Sequence, residues 1–147
     1  MDAHARRRWL DHTEGVLRGA GLRASAGRSA VVEVMARHGC LMSAQDIQDE
    51  LRGDADRSAS TATVYRALET LHEYGLVRRF DSGEGHARYE PVDPTGEHHH
   101  HIVFDDGAVR AFEDAELEAV IEALGDRLGV ELTGHDVILR ARRRRGR

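Results

Sequence analysis

Apolar positions recur at helical spacing through the first half of the chain and shift to the shorter periods of strands from about residue 76 onward. A first helix over about 9–20 closes at Gly21. Ser25 can cap a second, over about 27–38, with Val31, Val34 and Met35 on one face. Ser43-Ala44-Gln45-Asp46 is a Ser-x-x-acid start for a third, in which Ile47 and Leu51 form an i,i+4 pair. A fourth runs from Thr61 to Gly75, with Val64, Leu68 and Leu71 in line. Residues 76–81 and 86–90 then read as two strands around the turn signal Ser82-Gly83-Glu84-Gly85. Helices followed by a two-stranded hairpin predict a winged helix; the competing reading is an all-helical core with an incidental hairpin.

Both prolines, Pro91 and Pro94, fall where neither a helix nor a central strand can continue, so residues 91–97 are the expected hinge between domains over 1–90 and 98–147. Past the hinge, residues 98–104 and 108–112 flank the hairpin turn Asp105-Asp106-Gly107. Residues 114–128 form an amphipathic helix with Leu117, Val120, Ile121, Leu124 and Leu128 on one side, and 130–139 read as a third strand. The fold class is α+β, an N-terminal winged helix-turn-helix domain plus a C-terminal α/β domain. A C-terminal domain of this size buries too little surface to be secure alone, which points to pairing with a second copy.

Composition narrows the class. The 147 residues are 40% hydrophobic and 32% charged, as in a soluble globular protein. No run approaches the ~18 apolar residues of a membrane span, and the charged N-terminus has no apolar segment behind it, so a cytoplasmic location without a membrane partner is expected. A single cysteine, Cys40, excludes an internal disulfide framework and any CxxC zinc knuckle. Metal chemistry must then rest on histidine and carboxylate.

The net charge of −5 changes meaning once it is divided along the chain. Residues 1–90 hold 13 Arg against 14 acids, residues 91–139 hold 2 Arg against 12 acids, and residues 140–147 add six Arg. The acidity belongs to the second half, so the first is free to place its cations on a face that meets phosphate. The Arg-rich tail is either an arm that adds nonspecific phosphate affinity or a solvated terminus.

With Val64, Leu68 and Leu71 turned to the core, the fourth helix displays Ser60, Thr61, Thr63, Tyr65 and Arg66 near its N-terminal end, the end that enters the major groove in a helix-turn-helix. Hydroxyls and Arg bond phosphate or base edges, and Tyr lies against a thymine methyl. Against this, Tyr65 could fill core space and Arg66 be a solvated charge.

Four of the ten histidines are consecutive, His98 to His101. In a strand, His98 and His100 point one way, and His99 and His101 the other. The run thus supplies two HxH pairs, each needing further ligands to hold Zn(II) or a six-coordinate Fe(II) or Mn(II). Candidates are Glu118, His135 and Glu90. A solvated strand without metal is the plain alternative, and His4, His12, His38, His72 and His86 read as surface or cap residues.

The series Thr61-Ala62-Thr63-Val64-Tyr65-Arg66-Ala67-Leu68, Gly75-Leu76-Val77, Ala87-Arg88-Tyr89-Glu90, the His run and Thr133-Gly134-His135 resembles the ferric uptake regulator family of metal-dependent bacterial repressors, over residues 15–139. The resemblance implies a homodimer that binds AT-rich palindromic double-stranded operator DNA when loaded with metal, with no small-molecule substrate. It implies DNA contacts for Tyr65, Arg66 and Arg28, although Ala26-Gly27 stands where the family usually has Pro-Gln. It implies one metal site of His98, His100, Glu118 and His135. A second site at the hinge keeps Glu90, His99 and His101, but Leu41 replaces the usual DNA-domain histidine and Ala111 a carboxylate; Cys40 or His38 could swing in. The paired CxxC motifs of many relatives are absent, with Phe104-Asp105-Asp106-Gly107 at the first position and 142–145 near the second. The implied cofactor is a divalent transition metal, Zn(II) in isolated protein with Fe(II) or Mn(II) as the signal. Two other functions compete: a small hydrolase with His98, His100 and His135 as ligands and Glu118 or Glu90 as base, and a metal buffer with a degenerate DNA-binding domain.

Overall fold

The computed structural model describes residues 1–53, 59–81, 85–96 and 98–143. These form two compact units, residues 1–98 and 99–147.

In the first unit, α1 spans Ala3–Gly19, starting six residues before the predicted helix because Asp2 accepts from the Ala5 amide at 2.8 Å. Three arginines precede its first large apolar residue, Trp9, so hydrophobic spacing gave no sign of this turn. Helix α2, Ala26–His38, is capped by Ser25 as predicted and ends on Gly39 at φ 59°. The two-residue strand β1, Met42–Ser43, leads into α3, Ala44–Arg52. The Ser43 hydroxyl accepts from the Asp46 amide while the Asp46 carboxylate accepts from the Ser43 amide, a complete capping box. Helix α4, Thr61–Glu73, follows and buries Val64, Ala67, Leu68 and Leu71.

Strands β2, Val77–Asp81, and β3, Ala87–Pro91, pair antiparallel, and β1 joins the far edge of β3 to give the order β1-β3-β2. The winged helix is therefore present, with a third strand that the sequence did not suggest. Of its predicted turn, Ser82, Gly83 and Glu84 lie outside the described residues, as does Glu97 in the expected hinge. Pro91 is the last residue of β3 rather than the breaker that follows it. It pairs with Val77 but lies past the register of β1, so the ladder asks no N–H of it on that side.

Arg8 of α1 reaches along the chain to Asp93, with a guanidinium nitrogen 2.7 Å from the carboxylate. Burial raises the Asp93 pKa, but hydrogen bonds from Arg8 and from the Thr95 hydroxyl and amide outweigh it and bring it to about 2. A depressed carboxyl contributes stability that is whole above about pH 4 and disappears as pH falls through about 2. Arg8→Ala should therefore lower stability by about 1 kcal/mol at pH 7, with the gap to wild type narrowing as pH drops below about 4. Urea unfolding at pH 7, 5 and 3 checks this; a gap that does not change with pH would assign the loss to packing of the Arg8 stem.

In the second unit, β4, His100–Phe104, is central, with β5, Val109–Phe112, antiparallel on one side and β6, Ile138–Ala141, parallel on the other. Gly107, at φ 80°, closes the predicted turn between β4 and β5. Helix α5, Ala115–Leu128, is capped by Asp114, which accepts from the Glu116 and Leu117 amides. The strand expected over 130–139 is shorter than its pattern. Leu132 instead seats against Gly125 of α5, and the Val130 amide bonds the Gly125 carbonyl, so the chain first folds back on the helix. Much of the apolar stripe of α5 faces outward: Val120 is 65% and Leu128 63% exposed, and Leu132 and Leu139 are exposed too.

Candidate metal centre and nucleic-acid interface

The alternation of β4 decides where the histidines go. His100, 1% exposed, points toward the first turn of α5, where its Nε2 lies 2.7 Å from Oε1 of Glu118. His135 comes from the segment before β6 and places its Nε2 3.1 Å from Oε2 of the same carboxylate. The two rings are 5.1 Å apart, and Phe112, opposite His100 in the ladder, packs on the His100 ring at 5.4 Å. With His98, two positions earlier in the chain, one ligand atom from each of the four residues falls within 4.8 Å of all the others.

Burial raises the Glu118 pKa, but the His100 hydrogen bond and the nearby His135 and His100 charges override it and hold the carboxyl below its ordinary range. The carboxylate thus stays in the charged form a metal requires. Three imidazoles and one carboxylate suit Zn(II), and with added water also Mn(II) or Fe(II). A tetrahedral ion with bonds of 2.0–2.1 Å holds its donors about 3.4 Å apart, a spacing between the 2.7 Å of the His100–Glu118 pair and the 4.8 Å that bounds the cluster.

His99 and His101 take the other side, with ring centroids 4.9 Å apart and His101 fully buried. Ala111 stands directly opposite His101 in the ladder. The remaining hinge candidates belong to the first unit. Glu90 is buried on β3, Cys40 is half-buried before β1, and His38 ends α2 with its Nε2 3.4 Å from a Glu50 oxygen. Leu41 lies in the core of that unit.

On α4 the predicted division of faces is present. Tyr65 is 47% exposed and so does not fill core space; Arg66 and Thr61 are exposed as well. Ser60 caps the helix by accepting from the Thr63 amide, and the Ser60 and Thr63 hydroxyls are 2.8 Å apart. Arg28 opens α2, where its amide donates to the Ser25 cap and its guanidinium to the Arg23 carbonyl.

The start of the Arg-rich tail bonds within its own unit: Arg142 pairs with Asp105 at 3.3 Å, and Arg143 with Asp106 at 2.8 Å while lying over the Phe104 ring. Residues 144–147 are outside the described residues. Sequence reasoning missed the Phe112 contact, for which the signal was its position opposite His100 across the turn.

A winged helix-turn-helix that exposes its recognition helix, in one chain with a His/Glu cluster of metal-ligand geometry, defines a metal-responsive transcriptional regulator. The model of the ferric uptake regulator family matches residues 19–140, and the chain belongs to that family. The ferric uptake regulation protein of Pseudomonas aeruginosa is 35% identical over 133 residues, covering 88% of this chain and 96% of that protein. The crystal structure of the Vibrio cholerae ferric uptake regulator is similar with a TM-score of 0.75 at 30% identity, over 86% of this chain and 95% of that one. The structure of the P. aeruginosa ferric uptake regulator with manganese is similar with a TM-score of 0.69 at 31% identity, over 90% and 98%. Members of the family are regulators and not enzymes, so the hydrolase reading falls, and the metal-buffer reading has no support. Among the described residues no helix is long and apolar enough to cross a membrane.

Proposed function

We propose that the chain is a cytoplasmic repressor in which metal is the corepressor. Residues 1–90 read DNA, 91–97 are the hinge, and 98–147 dimerise and bind metal. The observation that carries the reading is the convergence of His100, Glu118 and His135, with His98, on one point beside β4. These four hold one divalent ion, Zn(II) in isolated protein and Fe(II) or Mn(II) as the signal. Glu90, His99 and His101, completed by Cys40 or His38, hold a second at the hinge. An ion there fixes the angle between the two reading heads of a homodimer, so that both meet successive major grooves of a palindromic operator through Tyr65, Arg66, Arg28 and the hydroxyls of Ser60, Thr61 and Thr63. With Ala111 opposite His101, the hinge site keeps Glu90 but lacks a further carboxylate, which argues against a peroxide-sensing role.

The expected result is operator binding that sharpens with Mn(II), Fe(II) or Zn(II) and is lost in chelator, measured by fluorescence anisotropy on an AT-rich palindromic duplex. Chelator-insensitive binding would sink the corepressor role. The exposed stripe of α5 supports the homodimer. Leu124→Asp should convert the protein to monomer in sedimentation velocity and weaken binding to the two-half-site duplex far more than to a single half-site. A variant that sediments as wild type would place the dimer interface elsewhere.

A further inference from the structure

The starts of α2 and α4 meet at a contact with no room in it. A Cβ built on Gly27 would lie 2.4 Å from Cγ2 of Thr63, closer than real side chains approach. Gly27 sits in the first turn of α2, two residues past the Ser25 cap, in ordinary helical backbone. Nothing in its dihedrals calls for glycine, and helix propensity favours alanine. The space is what glycine provides.

Thr63 is held on its other sides as well. Its amide donates to the Ser60 hydroxyl at 3.2 Å, and its own hydroxyl lies 2.8 Å from that same oxygen. A threonine in a helix has two accessible χ1 rotamers, and leaving this one would break the hydroxyl pair. The methyl therefore has one place to go, and Gly27 leaves that place open.

We infer that Gly27 and Thr63 form a size-matched joint that sets where the first turn of α4 stands relative to α2, making Gly27 a positioning residue for DNA reading. Tyr65 and Arg66 follow within one turn of Thr63, so a shift of the helix start carries both with it. The Thr63 methyl on this account is the spacer, a role separate from the DNA contact proposed for its hydroxyl. The inference rests on the DNA-reading role proposed for α4.

The test uses full-length Mn(II)-loaded protein and a duplex enriched from a random pool on the wild type. Gly27→Ala should weaken binding about tenfold or more, while its melting temperature stays near wild type because better helix propensity offsets the displaced contact. Thr63→Ser removes the methyl and keeps the hydroxyl, so in that background the Gly27→Ala change should cost nothing: the Gly27→Ala/Thr63→Ser pair should bind as tightly as Thr63→Ser alone. Unchanged binding by Gly27→Ala would overturn the joint, as would a Gly27→Ala loss that persists in the Thr63→Ser background. If no duplex is enriched by the wild type, the failure lies with the DNA-reading role and not with the joint.

Discussion

His100→Ala should lower metal affinity at the His/Glu centre at least about hundredfold, since loss even of groups that only orient a ligand costs 10–100-fold. The residue is central in every sense the geometry offers. It is fully buried, its Nε2 is 2.7 Å from Glu118, and its ring lies 5.1 Å from that of His135 and 5.4 Å from that of Phe112. Because deletion also leaves a void against Phe112, His100→Gln provides a volume-conserving companion that should lose metal to a similar degree with less loss of stability. His99→Ala is the control on the opposite side of the strand and should leave this centre intact. Competition with a chromophoric chelator distinguishes them. With separate sites each single variant loses a different ion and the His99→Ala/His100→Ala pair loses both; a pair that loses no more than either single would mean that the run acts as one cluster and that the alternation of β4 does not divide it.

That division was legible in the sequence because it needs only the two-residue period of a strand, and it holds even though β4 begins at His100 and so leaves His98 and His99 ahead of it. Choosing the partners was another matter. Spacing left Glu118, His135 and Glu90 equally eligible, and the family resemblance singled out the first two for the His98/His100 side. The helices of the first unit were legible for a local reason, since Ser25, Ser43 and Ser60 each cap in place and the apolar stripes follow directly. What was hidden depends on distant chain. Met42 and Ser43 are a strand only because Tyr89 and Arg88 pair with them. Residues 130–137 carry the same alternation as a strand, yet Leu132 finds Gly125 before the ladder begins. Gly27 looks like any surface glycine until the Thr63 methyl is seen against it.

The same distinction between local pattern and distant contact sets the expectation for Trp9, which ties α1 to the rest of the first unit. Its side chain is completely buried and its indole Nε1 donates to the Leu76 carbonyl at 2.9 Å. Trp9→Ala should cost about 3–5 kcal/mol, the range for emptying a large aromatic site. Trp9→Phe separates the two contributions. It keeps most of the ring and removes the donor, but the Leu76 carbonyl still accepts from the Val92 amide at 3.0 Å and is not stranded. The cost of Trp9→Phe should therefore be about 1–2 kcal/mol, from the lost bond and a modest void. Trp9 is the one tryptophan of the chain, so unfolding in urea must be followed by far-ultraviolet circular dichroism instead of fluorescence. If Trp9→Phe is as damaging as Trp9→Ala, the hydrogen bond and not the ring volume holds α1. If Trp9→Ala costs less than about 1 kcal/mol, α1 is no part of the cooperative unit that carries α4, and changes in it, including the Arg8 pairing with Asp93, should leave DNA binding unaltered.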